Sequence, residues 1–450
     1  MKKKFFCGML GIFIMLASAC GKKSAPSAPV SSSEDKVNVA PEIVAWLKQN
    51  AVPFSTSKAG SGFSDLMPLK QIVGNSRIVA LGEATHGTKE FFEMKHRLLE
   101  FLVKEMGFNT FAIEATWPES NLVNDYVHTG VGDPALLLAG LYFWTWNTQE
   151  VLDMIKWMRA HNQNPGGAPQ VSFLGFDMQY PTMAMQNVII YLQKVDPPAA
   201  IWADSLFLPF WPYARNRSGY GIASFATKTQ CRENLQKVYD HLSSHRAVYE
   251  AQSSPAEFAR ALQSARVAQQ GEDFFSGSSL VRDRYMAENA GWLLDQAGPG
   301  AKIVLWAHNF HVSVNSNGPS MGWYLRQRYG KEMVIFGFSF YQGSFNAVRY
   351  FSAIGQYGSL MPHHISTPPP KESYEYHLRG AEIEKMFLDL REVQPSAATN
   401  WLFGPRPFRS IGAFYDDLNP NLYFYDARLP EEFDALIYFQ KTSPSVLFSF

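Results

Sequence analysis

The sequence of 450 residues contains few cysteines and no excess of charge of either sign. Once the first 20 residues are set aside, Cys231 is the only cysteine left, which excludes a disulfide framework. Forty basic and forty acidic side chains cancel, so no overall field favours nucleic acid or acidic partners. Stability must therefore come from a hydrophobic core, and specificity must come from a local site.

Several catalytic motifs are also missing. The chain has no Gly-x-Ser-x-Gly nucleophile elbow, no His-Glu-x-x-His zinc motif and no phosphate-binding glycine loop. Cys231 lies in a Gln-Cys-Arg-Glu-Asn stretch that predicts the start of a helix, and no histidine is close to it in sequence. A serine hydrolase of the α/β type and a cysteine nucleophile are therefore both disfavoured.

The N-terminus has the pattern of an export signal. A basic start, Lys2 to Lys4, precedes an apolar run that ends in the small residues Ala17, Ser18 and Ala19 before Cys20. This ending is similar to a bacterial lipobox, which predicts a signal peptide over residues 1–19, lipidation of Cys20 and a flexible tether over residues 20–40. The predicted location is the cell envelope, facing the periplasm; simple cleavage after Ala19 would instead give a secreted protein.

The remaining residues, 41–450, alternate between strand and helix patterns. Residues 77–81, 110–113, 170–175, 302–306, 333–340 and 435–439 are predicted strands, and residues 41–49, 88–106, 149–161 and 281–296 are predicted helices. This order predicts an α/β fold with a mostly parallel central sheet flanked by helices. Residues 196–280 show helical patterns without a clear strand and are predicted to form a helical insertion that caps the site end of the sheet.

Polar residues follow four of the predicted core strands. They are Glu83 and His86, Glu114, Asp177, and His308 and His311. Because the carboxyl ends of parallel strands meet at one edge of a sheet, these side chains should converge. The alternative is that each residue caps a helix or lies at the surface, but four such coincidences are less probable than one site.

The same residues resemble the erythromycin esterase family. The resemblance rests on ordered blocks, LGEATHG at 81–87, WNTQE at 146–150, GFDMQ at 175–179, RDRYMAEN at 282–289 and AHNFH at 307–311. It implies hydrolysis of an ester or lactone by water, without a metal or other cofactor. His86 would be the general base, Glu83 and Glu114 would orient or polarise it, and His308 and His311 would stabilise the charged intermediate.

The resemblance also suggests residues that bind the small-molecule substrate: Lys95, Trp117, Trp146, Asp177 and Arg282. Drug-hydrolysing members of the family have arginine where Lys95 stands, and lysine lacks the planar fork of arginine. Macrolide hydrolysis, and with it antibiotic resistance, is therefore one candidate activity among several. The tryptophans have a second interpretation, because aromatic residues in such runs often belong to the core.

Two other functions fit the same residues. Three histidines and two glutamates could bind a divalent ion, as in a metal-dependent ester or amide hydrolase, which metal analysis and chelation would reveal. An exported lipoprotein could instead use its histidines and aromatic residues to bind haem or another large hydrophobic ligand without turnover. A change in the Soret band on adding haem would indicate that function.

The predicted lipid anchor can be tested at its attachment point. Because the acyl chains would be carried by Cys20, the Cys20→Ser variant should move from the membrane fraction to the soluble fraction. Immunoblots of fractionated cells measure this shift. A variant that still partitions to membranes would contradict lipidation of Cys20.

Overall fold

The structure is a computed structural model, and it describes residues 37–277, 280–314, 318–365 and 367–448. The predicted signal peptide, Cys20 and most of the predicted tether lie outside these residues. Within them, no helix is both long enough and apolar enough to cross a membrane.

The strands of the described ranges are as follows: β1 Val52–Pro53, β2 Ile78–Leu81, β3 Thr110–Thr116, β4 Ser172–Asp177, β5 Ile303–Trp306, β6 Met333–Phe351, β7 Gln356–Ile365, β8 Lys385–Asp389, β9 Arg406–Arg409, β10 Phe414–Tyr415, β11 Phe424–Ala427 and β12 Ala435–Thr442.

The α-helices are as follows: α1 Pro41–Asn50, α2 Leu69–Val73, α3 Lys89–Met106, α4 Trp117–Thr129, α5 Pro134–Ala139, α6 Gln149–Gln163, α7 Pro181–Val195, α8 Pro197–Phe207, α9 Arg217–Gly221, α10 Phe225–Ser244, α11 Arg246–Gln252, α12 Pro255–Ser276, α13 Leu280–Gln296, α14 Asn309–Val312, α15 Met321–Tyr329, α16 Tyr374–Arg379, α17 Asn400–Phe403 and α18 Leu429–Glu432. Short 3-10 turns cover Trp144–Trp146, Trp211–Tyr213, Gly330–Glu332 and Pro420–Tyr423.

One large sheet organises the strands, in the order β1-β8-β12-β6-β2-β5-β3-β4. The six strands from β12 to β4 in this order are parallel to their neighbours, whereas β8 and β1 are added antiparallel at the edge. The prediction of a mostly parallel central sheet flanked by helices is confirmed. Because β5 lies between β2 and β3, the loops that follow β2, β5 and β3 leave neighbouring strand ends.

Strand β6 is far longer than the sequence predicts. Its first part pairs in parallel with β2 and β12, and its second part forms an antiparallel hairpin with β7. At Gly343 the backbone has φ +128, and a Cβ there would lie 2.3 Å from the carbonyl oxygen of Thr442. Glycine therefore lets the strand bend here and continue, although a glycine in sequence suggests that a strand ends.

Strand β8 was not predicted either. Its five residues, Lys385 to Asp389, follow acidic residues and carry a charge at each end, so the sequence resembles a solvent-exposed turn. In the sheet, Met386, Phe387 and Leu388 are buried because β12 pairs along one side of the strand. Tertiary pairing has overridden the local pattern.

The core lies between the sheet and the helices that cover it. Helix α3 contributes Phe91, Phe92 and Leu99, which are fully buried, and their spacing of one, seven and eight residues places them on one side of the helix. They meet strand residues such as Phe338 and Trp306 within one hydrophobic cluster. Gly107, in the left-handed conformation, ends α3, as the sequence predicts.

Residues 184–277 form a compact helical unit, and Val39–Met183 with residues 280–448 form the other. The helical character predicted for residues 196–280 is observed in α8 to α12, and the compact unit begins earlier, within α7. Cys231 is buried in the interior of α10 rather than at a helix start, since that helix begins at Phe225. That these helices cap the site stays a prediction.

Asn309, at the start of α14, joins that helix to strand β6. Its buried side chain donates a hydrogen bond to the Phe338 carbonyl, at 2.8 Å, and accepts one from the Phe338 N–H, at 3.1 Å. The Asn309→Ala variant would leave both backbone groups of Phe338 buried and unpaired. We expect it to lose about 2–4 kcal/mol of unfolding free energy, measured by urea denaturation.

A matched control is Asn50→Ala, which removes an exposed side-chain hydrogen bond to the Trp46 carbonyl. It should change stability by less than about 0.5 kcal/mol. Equal losses in the two variants would contradict the structural role assigned to Asn309.

Candidate active site

The loop after β2, residues 82–87, is held by backbone hydrogen bonds from several directions. The Gly82 N–H donates to the Phe336 carbonyl at 2.8 Å, and the Glu83 carbonyl accepts from Asn309 at 2.9 Å. The Ala84 carbonyl accepts from Ile411 at 2.6 Å. A loop tied to this many separate segments has little freedom, which suits it to hold a catalytic side chain in place.

Both glycines of this loop are required by close backbone approach. A Cβ on Gly82 would lie 2.1 Å from the side-chain oxygen of Asn309, and one on Gly87 would lie 2.1 Å from the backbone carbonyl of Asn346. Any larger residue would push these segments apart. The glycines that bound the motif in sequence are therefore explained by packing.

Glu83 is completely buried and binds three donors. Its Oε1 lies 2.6 Å from Nδ1 of His86, and its Oε2 accepts from Nζ of Lys95 at 2.6 Å and from Nε1 of Trp306 at 2.7 Å. Burial by itself raises the pKa of Glu83, but the charge of Lys95 and the contact with His86 outweigh it and lower the pKa. The carboxylate is thus kept ionised inside the protein.

Lys95, one of the predicted substrate-binding residues, is fully buried. Its ammonium group binds Glu83 and lies 4.3 Å from the centre of the Trp306 ring. Burial lowers its pKa to about 8, against the opposing effect of Glu83. In the structure Lys95 balances the charge of Glu83, and the buried side chain of Lys95 is not accessible to a ligand.

His86 is partly exposed, with 14% of its side chain accessible. Because Glu83 accepts a hydrogen bond at Nδ1, the neutral ring carries its proton on that nitrogen and its lone pair on Nε2. Among the described residues no group hydrogen-bonds to Nε2. The ring centre lies 6.2 Å from that of Trp146 and 5.1 Å from that of His308, so aromatic side chains limit its movement.

His308 uses both ring nitrogens within the protein. Nδ1 accepts from the Phe310 N–H at 3.2 Å, capping α14, and Nε2 lies 3.2 Å from the Ile411 carbonyl, to which it donates. Burial lowers the pKa of His308 to about 3. The ring is therefore neutral, and the geometry does not favour the expectation that His308 stabilises a charged intermediate as a cation.

Glu114, at the end of β3, forms a buried ionic group with Arg282. Nη2 of Arg282 lies 2.7 Å from Glu114 and 2.6 Å from Asp177, and the other oxygen of Glu114 accepts from the His308 N–H at 3.0 Å. Burial raises the pKa of Glu114, but the charges of His311 and Arg282 outweigh it and hold the pKa well below its usual range.

His311 is oriented by Asp283, a residue that the sequence analysis did not select. Its Nδ1 donates to Asp283 at 2.8 Å, and its Nε2 lies 2.9 Å from Nη1 of Arg282. Since an arginine N–H can only donate, the geometry assigns neutral His311 with its lone pair on Nε2. Burial lowers the pKa of His311, but the charges of Asp283 and Glu114 have the larger effect and raise the pKa above its ordinary value.

The structure thus brings the predicted polar residues together, whereas the two predicted tryptophans are buried. Glu83, His86, Glu114, Asp177, Arg282, His308 and His311 form one connected set of contacts within a single compact unit. Trp146 and Trp117 are 1% and 2% exposed, and Trp146 donates to the Glu114 carbonyl. In the structure both tryptophans contribute to packing.

Asp283 and Trp306 are the supporting residues that sequence reasoning missed. Asp283 is adjacent to Arg282 on the first turn of α13, so its neighbour was a signal that could have identified it. Trp306 ends the apolar strand β5 and has the sequence context of a core residue. Only the folded structure shows that its N–H reaches Glu83.

Among the described residues, no group of three or more His, Cys, Asp or Glu side chains is arranged to hold a metal ion. The histidine nitrogens that could serve as ligands mostly have protein partners, such as Glu83, Asp283 and the Ile411 carbonyl.

Carboxylate–imidazole pairs at the carboxyl edge of a parallel sheet are typical of the active sites of α/β enzymes. Comparisons with known proteins make the class specific. The family model described as erythromycin esterase matches residues 103–442, which is most of the chain. The protein belongs to the erythromycin esterase family.

Individual relatives cover a larger part of the chain. YbfO of Bacillus subtilis (strain 168), whose name describes a hydrolase, is 25% identical over 437 residues, covering 89% of this chain and 91% of the relative. Erythromycin esterase type II of Escherichia coli is 24% identical over 435 residues, or 89% and 98%. A Bacillus cereus crystal structure has a TM-score of 0.80 at 28% identity, covering 91% and 99%. Family membership indicates a hydrolase.

The buried pair of Lys95 and Glu83 can be tested by removing the cation. We expect Lys95→Met to lose about 3–5 kcal/mol of unfolding free energy at pH 7, because an uncompensated carboxylate remains in the core. Lys95→Arg keeps the charge and should lose only about 1–3 kcal/mol, through overpacking. Urea denaturation of the three proteins measures these differences.

The pH dependence provides a second check on the same variants. The pKa of Glu83 is lowered from its ordinary 4.5 in the folded protein, so its stabilising contribution is present above pH 4.5 and lost as the pH falls through the folded value. The difference between the wild type and Lys95→Met should therefore shrink below about pH 4.5. A difference independent of pH would indicate that lost packing, not lost charge, is the cause.

Proposed function

We propose that the protein hydrolyses an ester or lactone by direct attack of water, with His86 as the general base. The observation that carries this proposal is the buried hydrogen bond between Glu83 and Nδ1 of His86, at 2.6 Å. Within the described ranges, it leaves the lone pair of Nε2 without a hydrogen-bond partner on a partly exposed ring. An imidazole in this state can take a proton from a water molecule that attacks a bound carbonyl.

The charge around the imidazoles supports proton transfer to them. The carboxylates that contact the histidines and their partners are Glu83, Glu114, Asp177 and Asp283, whereas the permanent cations among them are Lys95 and Arg282. With neutral histidines this group carries an excess of negative charge. The proton that His86 takes from water therefore enters a region whose net charge is negative, which favours the transfer.

His311 supports the proposed chemistry through its position. Its Nδ1 donates to Asp283 and its Nε2 accepts from Arg282, so the proton for the leaving alkoxide is returned by Nε2 of His86, which took it from the attacking water. Arg282 binds Glu114 and Asp177 and fixes the position of the ring through Nη1. We assign Arg282 mainly to positioning, because most of its N–H groups already have protein acceptors.

The substrate is proposed to be a small ester or lactone, and a macrolide is one member of that class. The family and the relative named erythromycin esterase type II support this choice of bond. We further propose that the enzyme is exported and anchored by Cys20. An extracytoplasmic location would let it meet small molecules arriving from outside the cell.

The proposal predicts that His86→Ala loses hydrolysis without losing the fold. Turnover of a panel of lactones and aryl esters should fall about 100-fold to 10,000-fold, the usual contribution of a general base. Circular dichroism should be unchanged, because the side chain is partly exposed. His128→Ala is a matched control, since that histidine bonds Ser172 on β4 and should leave turnover unaffected.

Two results would reject the proposed mechanism. Unchanged turnover in His86→Ala would remove that residue from the chemistry. Stoichiometric bound metal together with activity that chelators abolish would replace direct base catalysis with metal-activated water.

Glu114→Gln should also lower turnover, because it weakens the acceptor that holds both Arg282 and the His308 N–H.

A further inference from the structure

A second feature of the fold concerns a buried arginine that has no ionic partner among the described residues. Arg409, at the end of β9, is 2% exposed. Its Nη1 donates to the carbonyls of Phe340 and Tyr341, at 3.3 and 3.0 Å, and no other contact of its guanidinium with a described polar group is found. Within the described residues, no Asp or Glu oxygen lies within the 4.0 Å ion-pair distance of that guanidinium.

The carboxyl group of Glu375 makes no hydrogen bond to this guanidinium. It accepts the backbone N–H of Arg409 at 2.8 Å and a bond from Ser339, and burial raises its pKa against the opposing charge of Arg409. Burial also lowers the pKa of Arg409, but arginine stays protonated in proteins. A buried cation with no described carboxylate at ion-pair distance is electrostatically unfavourable, so the site is incomplete on electrostatic grounds.

Arg409 lines a small cavity whose volume is ≈ 140 Å³. Part of the wall is apolar, formed by Ile365, Pro368, Pro369, Pro370, Ile411 and Phe424, and the rest is polar, including Thr367, Tyr415 and Asn421. The three consecutive prolines contribute no backbone N–H. The cavity therefore combines one planar cationic fork with an apolar patch.

Asp417 and His364, which also line the wall, do not neutralise the charge of Arg409. Asp417 is already bound to Nδ1 of His363 at 2.8 Å and lies 3.7 Å from Arg349. His364 contacts the hydroxyl of Ser344 through Nδ1. Arg409 itself packs between the rings of Phe340 and Phe424, 4.7 and 5.2 Å from their centres, which fixes the plane of its guanidinium.

We propose that this cavity binds an apolar monocarboxylate, with its carboxylate on Arg409 and its hydrocarbon part against the proline and aromatic wall. A carboxylate matches a guanidinium in a bidentate manner. Phosphate carries more negative charge, whereas Arg409 is the only arginine or lysine among the described lining residues, so phosphate fits the cavity less well. None of Glu83, His86, Glu114, Arg282 and His311 is among the described lining residues, so the site is separate from the proposed catalytic one.

Ile411 connects the cavity to the proposed catalytic site. Ile411 lines the cavity, its carbonyl accepts from Nε2 of His308, and its N–H donates to the carbonyl of Ala84. A ligand in the cavity would therefore contact Ile411, which supports the loop that carries His86.

The test is a calorimetric titration of the full chain with sodium butyrate, butyramide and sodium phosphate. Butyrate should bind, and butyramide, of the same shape without the charge, should bind about tenfold more weakly or worse. Asn421 lies exposed at the cavity wall. Asn421→Asp should weaken butyrate binding about threefold or more through like-charge repulsion, and the matched control Asn421→Ser should not.

Arg409→Met removes the cation and should abolish the preference for butyrate over butyramide. Should that variant fail to fold, the Asn421 pair still decides the question. Equal binding of butyrate and butyramide, stronger binding of phosphate, or equal affinity in the two Asn421 variants would overturn the proposal. Butyrate binding that His86→Ala abolishes and Asn421→Asp leaves unchanged would place the carboxylate in the catalytic site and also overturn it.

Discussion

The buried carboxylate of Glu83 is the interaction on which the rest of the site depends. It joins His86 on its own loop, Lys95 on α3 and Trp306 on β5. An ionised carboxylate at zero exposure is tolerable because both of its oxygens meet donors and one donor is a cation. The same bonds that make the group tolerable fix the tautomer and the direction of the His86 ring.

A second carboxylate–imidazole pair repeats this arrangement a short distance away. Asp283 orients His311 as Glu83 orients His86, and Arg282 connects the second pair to Glu114. The first pair leaves a ring nitrogen available, whereas the second has both ring nitrogens in contact with protein groups. This asymmetry is the physical basis for proposing His86, and not His311, as the group that takes the proton from water.

Three buried cations show how the same residue chemistry serves different ends. Lys95 and Arg282 each face carboxylates at hydrogen-bonding distance, so their charges are compensated within the fold. Arg409 faces carbonyl oxygens and aromatic rings instead. Cations that are paired with carboxylates stabilise a site, whereas an unpaired cation beside a cavity favours the binding of an anionic ligand.

The sequence determined the class of fold and the polar residues of the site. Regular spacing of apolar residues identified β2, α3, β3 and β5, and the position of Glu83, His86, Glu114 and His311 after strands indicated that they meet, because parallel strands place those ends at one edge. Family blocks added the type of reaction. These signals are local in sequence, so they could be read without coordinates.

Only the tertiary structure decided how these residues are used. That Lys95 is a buried partner of Glu83, that His308 is neutral, and that Asp283 and Trp306 support the histidines all depend on contacts between segments distant in sequence. The bend at Gly343 and the pairing of β8 likewise arise from neighbouring strands. Burial and hydrogen-bond partners set protonation and orientation, and neither is encoded in the spacing of residues along the chain.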